Sequence, residues 1–309
     1  MNTTKISHAV AGRPAKSDGF ILVAVLWILG ALSVLASVYA IYVTNTVSAF
    51  STYDDHLKTE ALVSAAVELT AYRQQTTNSK SRPAHGQFDF RLGQANVKVT
   101  FRSEAARIDL NKAPKQVLAG LFVVLGASPE AAATYGDRII SWRTSISQDQ
   151  NSEASAYRMA HFEYESRGAP FPHVNELTLV RDLPKSVVER ALPFFTVYGG
   201  RPEINFLDAA PEVIAALPGM AGERLNTFLE QRKTSPANTQ LLRSLLREAQ
   251  AYTTDEAGKT FRISVEVVFD NRHKESAEVV ILLLEGSDKP FAVLSWIDGF
   301  DQTIVGSKL

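Results

Sequence analysis

An unbroken apolar run opens the pattern: no charged side chain occurs from Gly19 to Tyr53, and Phe20 to Val43 is almost wholly apolar. About 20 such residues suffice for a helix to cross roughly 30 Å of hydrocarbon. Beyond the run the pattern becomes one-sided. Leu57, Ala61, Ala65, Leu69 and Tyr72 recur every three or four residues, which predicts an apolar stripe on a continuing helix. The spacing therefore predicts one helix over 20–75, roughly 80 Å long at 1.5 Å per residue. Its first half is expected in lipid and its second half against a soluble domain.

The period then shifts from helical to alternating. A turn-rich stretch from Thr76 to Gly86 precedes Gln94 to Arg102, where Ala95, Val97, Val99 and Phe101 alternate with polar residues, the mark of a half-buried strand. Strand signals return only at Phe261–Phe269, Ser276–Glu285 and Pro290–Ile297, with turns expected at Asn271–Lys274 and Gly286–Lys289. The expected fold class is α+β: a long N-terminal helix on a small antiparallel sheet, with a large, mostly α-helical domain inserted. The segments are 20–75 for the helix, 76–104 and 255–309 for the sheet, and 105–254 for the insert.

The insert repeats itself. Ile108 to Leu121 (IDLNKAPKQVLAGL) aligns with Ile204 to Leu217 (INFLDAAPEVIAAL), with Ile, Ala, Val, Ala and Leu identical at five places. Each copy reads as a strand end, a cap and a short helix. Asn111 and Asp208 are the expected caps, with Pro114 or Pro211 near the first turn.

Composition and charge narrow the functional classes. The 309 residues are 45% hydrophobic and 21% charged, which suits globular material plus one membrane segment. The absence of cysteine excludes disulfides, thiolate metal sites and cysteine nucleophiles. Lys5, Arg13 and Lys16 precede the apolar run against the single acid Asp18, so the tail is expected in the cytoplasm and everything after Val43 outside. An ordinary secretory signal would end instead at the small-residue site Val38-Tyr39-Ala40.

The junction Lys16-Ser17-Asp18-Gly19-Phe20-Ile21-Leu22-Val23 resembles the processing site of type IV pilins and type II secretion pseudopilins. The resemblance implies a leader over 1–19, cleavage after Gly19 by a prepilin peptidase, and N-methylation of Phe20. Most of that family carries a glutamate at the fifth mature position, thought to pair with a neighbouring subunit's N-terminal amine; here Ala24 stands there. A subunit with no acid to offer suits the end of a filament better than its shaft. The large minor pseudopilin K family is known for this gap. Both insert repeats resemble its Asn-Thr-Ala-Pro segments, with Lys112 and Asp208 at the threonine place. Phe171 to Leu177 (FPHVNEL) and Leu192 to Val197 (LPFFTV) match its recurring phrases, so the resemblance runs from Gly19 to about Lys233. It implies a single-pass bacterial inner-membrane protein with its C-terminal domain in the periplasm, at the tip of a pseudopilus. The implied partners are minor pseudopilins I and J, the major pseudopilin, the prepilin peptidase and an exported protein.

Other chemistries compete for the same residues. The family often holds calcium in an acidic loop after a tryptophan, but Trp142 is followed by Arg143-Thr144-Ser145-Ile146-Ser147. Asp149 and Glu153 remain as candidate ligands of a possible calcium ion, which would need six to eight oxygens. Leu217-Pro218-Gly219-Met220-Ala221-Gly222, followed by Glu223 to Lys233, resembles a helix-hairpin-helix, whose amides can hold a DNA phosphate. Residues 105–250 carry 16 Lys/Arg against 16 Asp/Glu, so no uncompensated positive face is expected, and no nucleic-acid partner. The six histidines are dispersed, and neither a nucleophile elbow nor a phosphate loop occurs. The expectation is a structural subunit, not an enzyme.

Overall fold

A computed structural model describes residues 18–79, 81–144 and 157–299. The chain divides into two compact units between Glu60 and Ala61. Helix α1 is continuous over Asp18–Thr76. In the first unit its stretch Leu22–Val43 is long and apolar enough to cross a membrane, with a mean hydropathy of 2.3.

The second unit holds a five-stranded antiparallel sheet in the order β1-β2-β7-β8-β9. Its strands are β1 (His85–Leu92), β2 (Ala95–Ser103), β7 (Thr260–Phe269), β8 (Lys274–Leu283) and β9 (Phe291–Asp298). The alternation read in the sequence is the burial pattern observed: every odd residue of β2 from Ala95 to Ser103 is buried and every even one exposed. Val97, Val99, Phe261, Ile263, Val265 and Val279 form one core with Leu62, Val63, Ala66, Val67 and Ala71 of α1. Helix and sheet thus supply one apolar face each, the two-layer arrangement that lets both be buried.

Two expectations are corrected here. The buried face of α1 is Leu62, Val63, Ala66, Val67, Thr70, Ala71 and Gln74, while Tyr72 and Leu57 are exposed. The helical period was right, but the stripe is rotated toward the β-branched residues that fit a sheet. The segment before β2 is also not only a turn. β1 starts at His85 and pairs along its whole length with β2 around Gly93, whose φ of +58° makes it the residue suited to a tight reversal. Gly86 lies opposite Phe101, whose ring covers it so closely that a Cβ there would sit 2.5 Å from the ring.

Between β2 and β7 the chain leaves the sheet and returns. It builds α2 (Lys115–Val124), α3 (Pro129–Arg143), α4 (Lys185–Ala191), α5 (Pro211–Ala215), α6 (Glu223–Thr234) and α7 (Thr239–Leu246). Two small parallel pairs join them: β3 (Ile108–Asp109) with β4 (Phe195–Thr196), and β5 (Ile204–Asn205) with β6 (Thr253–Thr254). These helices share a second hydrophobic core, centred on Ile108, Leu118, Trp142, Phe195, Ile204 and Phe228. The insert is therefore mostly helical, as expected, with two short β closures among the described residues.

Candidate functional site

The insert is built twice on one plan, and the plan reaches well past the fourteen aligned residues. In the first copy the Leu110 N–H donates to the Thr196 carbonyl at 2.8 Å; in the second the Phe206 N–H donates to that of Thr254 at 3.1 Å. The residue ending each strand turns its side chain back onto the chain. Asp109 Oδ1 accepts from the Asn111 N–H at 2.7 Å, and Asn205 Oδ1 accepts from the Leu207 N–H at 2.9 Å. Such short Asx turns aim the following helix. In each closing strand a threonine hydroxyl accepts a backbone N–H two residues on, Thr196 from Tyr198 at 3.0 Å and Thr254 from Glu256 at 3.1 Å.

An arginine completes each copy. Arg143, ending α3, donates to the carbonyls of Leu110 and Ala113, the latter at 2.8 Å. Arg232, near the end of α6, donates to those of Phe206 and Ala209 at 3.1 and 2.7 Å. Burial lowers the pKa of both, and Asp109 and Asp208 respectively oppose that shift. Asp109 is pushed up by burial, against the pull of the Asn111 and Gly200 amides that donate to it. These arginines are absent from the aligned fourteen residues, because 35 residues separate Ile108 from Arg143 and 28 separate Ile204 from Arg232. The recurrence of Arg-Thr-Ser at 143–145 and Arg-Lys-Thr-Ser at 232–235 was the available signal.

The two copies meet at equivalent positions. A Cβ added to Gly120 would lie 2.0 Å from the Ala216 carbonyl oxygen, and residue 216 is the counterpart of 120 in the alignment. The copies thus touch through equivalent positions.

The expected caps are corrected by this geometry. Pro114 is the N-cap of α2, and it makes no side-chain cap. Asn111 sits farther back and clamps the Phe171 peptide instead, donating to its carbonyl at 2.9 Å and accepting from its N–H at 2.6 Å. The N-cap of α5 is Ala210, and the Asp208 carboxylate contacts His85 Nδ1 of β1. Proline at or beside the first helical position removes an amide that a cap would have served, which frees both side chains for distant partners.

Gly19 and Phe20 lie in the first turn of α1, and Ala24 follows one turn later, half-buried. Asp149 and Glu153 lie outside the described residues. Among the described residues no group of three or more His, Cys, Asp or Glu side chains is arranged to hold a metal. At the hairpin before α6, Gly219 and Gly222 take φ of +73° and +59°. Arg224 folds back and donates to the Gly219 carbonyl at 2.9 Å, and Glu248 lies nearby. Arg224 is thus spent on the hairpin's own backbone, with the Glu248 carboxylate nearby, an arrangement poor for phosphate.

Residues 95–200 match the model of the family described as type II secretion system (T2SS), protein K. No curated protein matches the chain. Among solved structures, the fold is similar to a chain of the GspK-GspI-GspJ complex from the type 2 secretion system of enterotoxigenic Escherichia coli. The TM-score is 0.60 at 15% identity, and the match covers 81% of this chain and 99% of that one. By sequence, then, residues 95–200 resemble the type II secretion protein K family, and by fold about four-fifths of the chain resembles the solved chain of that complex.

Proposed function

We propose that this chain is a minor pseudopilin at the tip of a type II secretion pseudopilus, where it initiates assembly and supports export of folded proteins across the outer membrane. The observation that carries the reading is the two-copy insert mounted on a sheet that packs against an extended N-terminal helix. A body of about 150 residues (105–254) projecting from every subunit would obstruct stacking along a shaft, whereas a free end accommodates it. Ala24, where an acid would face a neighbour's amine, supports the same placement. The apolar stretch Leu22–Val43 supports a single-pass anchor in the inner membrane, with the rest of the chain in the periplasm. The complex in which the similar fold was solved contains GspI and GspJ, and minor pseudopilins of those two kinds are the partners proposed here. The major pseudopilin, the prepilin peptidase and an exported protein follow from the resemblance.

Maturation gives the direct test. Intact mass and N-terminal sequencing of the protein from membranes of its host should find a chain starting at N-methylated Phe20, and Gly19→Leu should leave the leader attached. A mature chain starting at Ile41, or unchanged processing of the variant, overturns the pilin-type reading.

A further inference from the structure

The chain crosses between sheet and insert twice, at Ser103–Glu104 and at Glu256–Ala257, and the two crossings are adjacent: the Ser103 hydroxyl donates to the Ala257 carbonyl. The hydrophobic cores on either side share no residue. Polar and charged groups span the junction between them.

At its centre is Glu104, in the single 3-10 turn that follows β2, with only 1% of its side chain exposed. Its Oε1 accepts from Arg262 Nε of β7 at 2.7 Å, and its Oε2 accepts from the hydroxyl of Thr196 in β4, which belongs to the insert. Arg262 also donates to Glu278 of β8, and Arg107 adds a second positive charge to the cluster. Two carboxylates and two guanidinium groups balance. Asp208 of the insert reaches His85 of β1 across a cleft of about 1010 Å³, whose walls include Arg102 on the sheet side and Leu229 and Lys233 on the insert side.

We infer that the insert is a hinged body, pivoting on the paired crossings at Ser103 and Ala257 and locked on the sheet where the Thr196 hydroxyl of the insert joins the buried Glu104–Arg262–Glu278 cluster. Buried ion pairs add little net stability compared with apolar packing, but they select one geometry, because a misplaced partner leaves a charge unpaired. Breaking the lock lets the insert swing and the cleft between His85 and Asp208 open, while each core stays folded. This inference does not depend on the secretion reading.

A chain without cysteine allows a clean test. Spin labels on Asp89→Cys in β1 and Lys185→Cys in α4 of the full-length protein in detergent report the angle between sheet and insert. Both sites are exposed. Pulsed dipolar spectroscopy should give one narrow distance with Glu104 present. Glu104→Ala should broaden it or add a second distance at least as populated as the first, with unchanged helical circular dichroism. Glu104→Gln, which keeps size and one acceptor oxygen, should broaden it less, and it decides the matter if the alanine variant does not fold. One narrow, unchanged distance in the folded variant overturns the inference.

Discussion

Gly120 and Ala216 occupy the same place in the two copies, and no side chain fits between them. Gly120→Ala drives a methyl group into a carbonyl oxygen on a rigid helix end. The expected cost is about 2–3 kcal/mol, within the range for overpacked interiors, read as a fall of roughly 5–10 °C in the melting temperature. An unchanged melting temperature would show that the copies can slide apart. The glycine was visible in the sequence, opposite alanine in the repeat, but its reason was not: contact between equivalent positions needs the third dimension. The cap roles of Asn111 and Asp208 failed for a related reason. Local spacing makes them good caps, yet Asn111 finds the Phe171 peptide 60 residues away and Asp208 finds His85, 123 residues away. Distant partners of this kind leave no periodic trace.

At the scale of elements, strands with strict alternation and no interrupting glycine were legible to within two residues. β1 was not, although Phe88, Phe90 and Leu92 alternate with Gln87, Asp89 and Arg91. Gly86 reads as the end of a turn-rich stretch, and only its cover by Phe101 explains why a strand tolerates it. For α1 the period was plain and the phase was not, since alanines mark a stripe weakly. The observed phase makes a paired prediction. Val63→Ala removes two buried carbons from the sheet contact and should cost about 2 kcal/mol in chemical denaturation. Tyr72→Ser, on the exposed side and 66% accessible, should change stability by less than about 0.5 kcal/mol. The reverse order of these two effects would return the stripe to its originally expected face.

At the scale of the molecule, burial resists charge on Glu104, but Arg262, Arg107 and the hydrogen bonds from Arg262 and Thr196 outweigh it. Its carboxyl is therefore held below the ordinary 4.5. A carboxylate with a lowered folded-state pKa stabilises the fold fully above its unfolded value and loses that contribution as the pH falls through the folded one. Stability should accordingly drop more steeply below about pH 4.5 in the unaltered protein than in Glu104→Gln, measured by urea denaturation across pH 2–7. Equal slopes would mean that the cluster does not favour the ionised form of Glu104. Apolar run, sheet and doubled insert were all readable as blocks, whereas the way insert and sheet are joined was not, because its charged residues lie on β7, β8 and the turn after β2.

β2 and β7 are antiparallel neighbours, with Ser103 opposite Phe261. To the ladder, everything between them is one oversized hairpin loop. A loop can lengthen at small entropic cost, since each doubling adds only about 0.6 kcal/mol. Material spliced at that point changes neither strand register nor the packing against α1, so an older scaffold could acquire a large new exterior without renegotiating its interior.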